Sequence, residues 1–215
     1  PDYAEAYYNR ANALKELGQL EAAIANYQKA ISIDPKNSLL WEGSSDVLQI
    51  VRFSSCSDDL VHYLLQALEQ PTTRPNVLSG AIASALLYHP IVSPALELSK
   101  SDRIDKNNID HITEQLSTVP LLLRMMELSP IADLDVEKML KKMRRAMLHK
   151  AASGGGEAKG LPFYSALAMH CFTNEYVFFE SEEEKEEIEL LQKNIKVMLK
   201  QEGTVSPAWI AVLGA

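Results

Sequence analysis

His170 and Cys171 stand side by side in a chain of 215 residues, a few positions before the triplet Asn174, Glu175 and Tyr176. Imidazole, thiol and carboxylate are the groups of nucleophilic catalysis and of metal binding, so the set His170, Cys171 and Glu175 is a candidate for either. The spacing argues against both. Neighbours on a helix point about 100° apart, whereas ligands that share an ion sit at i, i+4 or in CxxC pairs. A thiol nucleophile needs a base brought to it through the fold, and the sequence supplies no sign of one. The alternative is architectural: Phe163, Leu167, Cys171 and Phe172 form a buried stripe with His170 beside it, and the triplet satisfies backbone groups where that helix ends. This second reading is preferred, so no catalytic residue and no metal ligand is expected.

Two further stretches invite chemistry. SGGGEAKG (153–160) is glycine-rich like a phosphate loop, but Lys159 is followed by Gly160 and not by Ser or Thr, and the flanks are helical in pattern. It fits neither the Walker nor the dinucleotide loop and is expected to be a flexible linker. KMLKKMRRAMLHK (138–150) carries Met139, Met143 and Met147 on one face among many cations. Such a helix can bind an acidic partner. The simpler expectation buries the methionines, turns Lys141, Lys142, Arg144 and Arg145 to water, and takes the acidic run 180–187 as their charge partner.

The elements that must position these groups are helical throughout. Residues 4–17 place Tyr7, Ala11, Leu14 and Leu17 on one face, and Gly18 permits a left-handed cap. Residues 20–33 repeat the pattern through Leu20, Ala23, Ile24, Tyr27, Ala30 and Ile31, and Pro35 closes the unit. Small residues stand where two helices must approach, and tyrosines fill the space they leave. This helix–turn–helix closely resembles the tetratricopeptide repeat. The resemblance implies a protein- or peptide-binding module whose first helix lines a concave groove. By position, that groove would be faced by Glu5, Tyr8, Asn9, Asn12, Lys15 and Glu16. The amides of Asn9 and Asn12 can bond an extended peptide backbone as donor or acceptor. The version of the family that clamps a terminal carboxylate wants a lysine where Tyr8 stands, so an acidic tail is not the expected ligand.

One period later Trp41 stands in the place of Tyr7, but Gly43, Ser44 and Ser45 weaken the helix and the punctuation is lost. Residues 1–50 are therefore expected to hold one full repeat and a degenerate half. In this register the chain begins at the last proline of a preceding repeat, and it stops at WIAVLGA in mid-helix, so both ends read as cuts from something longer. An open repeat end also offers a surface to a second copy of the chain.

Residues 51–215 continue as helical runs with prolines at 71, 75, 90, 94, 120, 130, 162 and 207 expected between them, and with Ser181 and Glu184 forming a capping box for the last long helix. No alternating strand pattern is present, and the expected class is all-α: a tetratricopeptide repeat packed on an irregular helical domain. The net charge of −8 disfavours a nucleic-acid binder, and no run of 18 apolar residues exists to span a membrane. Two cysteines 115 positions apart form no disulfide framework, as in a reduced cytoplasmic protein.

VEKMLKKMRRAML (136–148), LPFYSALAMHCFTNEYVFFESEEE (161–184) and VSPAWIAVLGA (205–215) resemble the helical region that precedes an S-adenosylmethionine-dependent methyltransferase domain in bacterial repeat-bearing proteins. The chain lacks the acidic–x–Gly–x–Gly loop that holds that cofactor, so the resemblance places catalysis outside these residues and implies no cofactor within them. The expected function is a non-catalytic scaffold presenting a protein or peptide to such an enzyme. The competing expectations are a small helical enzyme built on His170, Cys171 and Glu175, and a purely structural oligomerisation module.

Overall fold

The computed structural model describes residues 3–71, 73–154, 158–173, 181–201 and 204–215. Among these residues the chain forms twelve α-helices and no strand, as the all-α reading expects. It divides into two compact units, Pro1–His89 and Pro90–Ala215. The point near residue 50 where the repeat pattern fades thus falls inside the first unit and not at its edge.

The first unit contains α1 (Ala4–Glu16), α2 (Leu20–Ile33), α3 (Ser38–Leu48), α4 (Asp58–Leu68) and α5 (Pro75–Leu87). Gly18 ends α1 at φ +72°. Its N–H donates to the Lys15 carbonyl at 3.0 Å and the next N–H, of Gln19, to that of Leu14 at 2.9 Å. This pair of bonds satisfies two of the carbonyls that a helix end leaves orphaned. Leu17 sits at this cap and is exposed, so it does not belong to the packed face. The chain then returns as α2 against α1, with Ala11, Ala23 and Ala30 fully buried where the two backbones come close.

α3 is a continuous helix despite its glycine and serines. Asn37 caps it by accepting from the Leu39 N–H at 3.2 Å. A Cβ at Gly43 would lie 3.0 Å from the Tyr8 ring and 3.1 Å from that of Tyr27, so the missing side chain is what lets α3 approach the repeat. Ser44 is buried and hydrogen-bonds the Tyr63 hydroxyl of α4. Trp41 stacks on the Tyr63 ring at 5.9 Å and donates its indole N–H to the Pro35 carbonyl at 2.9 Å. Low helix propensity at 43–45 is thus overridden by packing that needs small residues.

The second unit contains α6 (Val92–Lys100), α7 (Ile109–Leu116), α8 (Pro120–Leu128), α9 (Leu134–Ala152), α10 (Leu161–Thr173), α11 (Glu182–Gln201) and α12 (Pro207–Gly214). α9 is the central element, packing on α6, α11 and α12. Its Met139, Met143 and Met147 are buried as expected. Arg144 is not turned to water: it is 4 % exposed. Its guanidinium pairs with the Glu184 carboxylate at 3.1 Å. A cation on the apolar face of α9 is tolerable only because that carboxylate reaches it.

The glycine-rich stretch 153–160 is more than a linker at its far end. Thr113 donates its hydroxyl to the Lys159 carbonyl at 2.8 Å, and Ser117 to that of Gly160 at 3.0 Å. Gly160 has φ +79°, and a Cβ there would lie 2.4 Å from the Thr113 carbonyl group. These contacts fix the entry into α10. Residues 155–157 of the stretch lie outside the described residues.

Candidate functional site

α1 and α3 together wall a groove of about 450 Å³ in the first unit. Tyr8 contributes from α1, and Leu39, Glu42, Gly43, Ser45, Asp46 and Gln49 from α3. Thr73, before α5, closes one side. Gly43 opens this space: with no side chain there, the Tyr8 ring meets Tyr27 edge-on at 5.9 Å. Burial beneath the groove pushes the Tyr27 phenol up to about 12, assisted by Tyr8 and the Asp46 carboxylate, so it stays a neutral donor. It donates to the Asn12 side-chain carbonyl at 2.6 Å.

The six residues expected to face a partner divide into three kinds. Tyr8 lines the groove itself. Glu5, Asn9 and Glu16 are exposed along α1. Asn12 and Lys15 are half-buried and engaged: Asn12 accepts from Tyr27, and the Lys15 ammonium pairs with Asp46 at 2.9 Å, bracing α1 against α3. An acceptor already holding the Tyr27 hydroxyl is a poorer peptide contact than Asn9, whose amide is exposed.

The α3 side of the groove was not singled out from the sequence, though the repeat period carries it. Leu39, Glu42, Gly43, Asp46 and Gln49 each stand 34 positions after Glu5, Tyr8, Asn9, Asn12 and Lys15. The register expected to face a partner on α1 therefore recurs on α3 with every residue changed. The signal lay in the spacing alone, since no residue type survived to mark it.

The His170–Cys171 pair takes a different form from a catalytic dyad. His170 is buried, and its Nδ1 lies 3.2 Å from the Met126 carbonyl of α8. Cys171 borders a separate cavity of about 210 Å³ with Arg144, Leu148 and Val212. Burial pushes the imidazole below its ordinary pKa against the pull of the Met126 carbonyl and Glu137. Burial also pushes the Cys171 thiol up, opposed by Arg144. Both shifts run opposite to those of a thiolate–imidazolium pair. Phe172, expected in the buried stripe, is 82 % exposed instead. Asn174, Glu175 and Tyr176 lie outside the described residues.

The acidic run meets α9 as its charge suggested. Glu183 pairs with Arg145 at 3.1 Å, and Glu187 with His149. Glu184 and Ser181 form the capping box, with the Glu184 N–H donating to Ser181 Oγ at 3.2 Å. Glu184 thereby caps α11 and neutralises Arg144 at once. Between these helices and the 102–107 loop lies a larger groove of about 1180 Å³, lined by cations of α9 and carboxylates of α11.

Among the described residues no single helix is long and apolar enough to cross a membrane. No group of three or more His, Cys, Asp or Glu side chains comes together there in a metal-holding arrangement. No solved structure matches the chain. Residues 4–37 match the family model of the tetratricopeptide repeat. The match spans α1, α2 and the turn into α3, the elements that build one wall of the groove, so the chain carries a tetratricopeptide repeat, a module whose general role is to hold other proteins.

Proposed function

We propose that the chain is a protein-interaction scaffold whose α1–α3 groove receives an extended segment of a partner protein. The observation that carries this reading is the recurrence of the α1 register on α3 around Gly43, which leaves an open groove with Tyr8 at its base. Glu5, Asn9 and Glu16 extend the contact along α1, and Asn9 supplies an amide able to bond a peptide backbone. Tyr8 and Lys15 fix the shape of the groove as much as they touch the partner. Recovery of the partner by the full chain is the test, comparing wild type with Asn9→Ala and Glu42→Ala combined. Both side chains are exposed, so folding is expected to be unchanged and recovery to fall several-fold. Full recovery with the doubly substituted chain would overturn the assignment of the groove.

The second unit, in this reading, is a helical adaptor that leads to a methyltransferase domain in the same polypeptide and presents the bound protein to it. Support comes from the likeness of 136–148, 161–184 and 205–215 to the region preceding such domains. Cys56 and Cys171, both free thiols, fit a cytoplasmic setting. A reading frame that continues into an αβ domain with an acidic–x–Gly–x–Gly loop is expected; a stop codon directly after Ala215 would remove the link.

A further inference from the structure

We infer that the partner segment taken by the α1–α3 groove is basic, a stretch carrying lysine or arginine in extended conformation; the inference rests on the groove reading above. Glu42 and Asp46 line the groove from α3, and Glu5 and Glu16 stand exposed along α1, against the single ammonium of Lys15. That ammonium is already committed to Asp46 at 2.9 Å. Glu42 borders the groove, is exposed, and has no ion pair among the described residues. The wider field has the same sign, since residues 1–89 hold ten Asp and Glu against six Lys and Arg.

The apolar part of the site suits the same ligand. Leu39 is 60 % exposed at the groove, and the Tyr8 ring lies across from it on α1. Lysine and arginine carry a methylene stem beneath a charged head, so such a side chain can lay its stem on Tyr8 and Leu39. Its head group then meets Glu42, and the Tyr8 ring face adds a cation–π attraction. An acidic segment would face Glu42 and the exposed Glu5 and Glu16, three carboxylates outside the Lys15–Asp46 pair, with no uncommitted ammonium on the groove walls to answer it. Like charges brought together there repel, and discrimination of this kind sets specificity more than affinity.

The test uses the full chain and three fluorescent twelve-residue peptides of Gly and Ser in which every second residue is Lys, Gln or Glu, read by anisotropy at low and high salt. The Lys peptide is expected to bind about tenfold more tightly than the Gln peptide at low salt and to lose that margin at high salt. Glu42→Gln should weaken the Lys peptide about two- to fivefold, and Glu42→Lys further, with circular dichroism unchanged. Equal binding of the Gln or Glu peptide, no binding of the Lys peptide, or indifference of the Lys peptide to Glu42→Lys would overturn the inference. Tyr8→Ser separates the two levels of the account. If the Gln peptide binds as well as the Lys peptide but is lost with Tyr8→Ser, the charge preference falls and the groove stands. If binding ignores both Glu42 and Tyr8, the groove reading falls with it.

Discussion

Gly18 and Gly160 both adopt left-handed backbone, at φ +72° and +79°, yet their surroundings differ. At Gly18 a Cβ would meet nothing within 4 Å, so substitution costs only the backbone penalty. At Gly160 the same atom would collide with the Thr113 carbonyl, inside the contact that anchors α10 to α7. Gly18→Ala is therefore expected to lower stability by about 1 kcal/mol, and Gly160→Ala by about 3 kcal/mol or more, measured by urea denaturation. Equal losses would contradict the contact assigned to Gly160. The sequence exposed the first of these roles, because a glycine after an apolar period marks a helix end. It hid the second, because the colliding carbonyl belongs to a residue 47 positions away. Distance in sequence also concealed the engagement of Asn12 with Tyr27 and the burial of the Arg144–Glu184 pair.

The helices themselves were legible to within a few residues, since apolar periodicity and proline punctuation are local signals. α3 was the exception: Gly43, Ser44 and Ser45 read as helix-weakening, and only the tyrosines packed against them explain the choice. The docking of α11 on α9 is a second case, where the acidic run advertised a charge partner without revealing that one pair would be buried. Removing Arg144 leaves the buried Glu184 carboxylate only its longer contact to Arg145 at 3.7 Å, so Arg144→Leu is expected to cost about 3 kcal/mol. Adding Glu184→Gln should restore much of that loss, because glutamine is neutral and still serves the capping box. The exposed Arg145→Ala should cost less than about 1 kcal/mol. Losses in the Arg144→Leu, Glu184→Gln chain that equal the sum of the two single substitutions would contradict the buried pair, and thermal denaturation of both single chains and the double one decides it.

At the scale of the whole molecule, the first unit pairs one recognisable repeat with a second first-helix whose lining residues have all been exchanged. The second unit places its conspicuous side chains, His170, Cys171 and Arg144, in packing and ion pairing. The fold class could be read from periodicity, whereas half the groove could not, because its α3 wall shares a register with α1 and almost no chemistry. The central claim is that this register still faces a partner. A photo-reactive benzoylphenylalanine installed at Glu42 in the full chain, and separately at the exposed Ala25 of α2, tests it most directly. The account predicts a discrete crosslinked partner from position 42 and none from position 25. Crosslinking from position 25 alone, or from both equally, would contradict it.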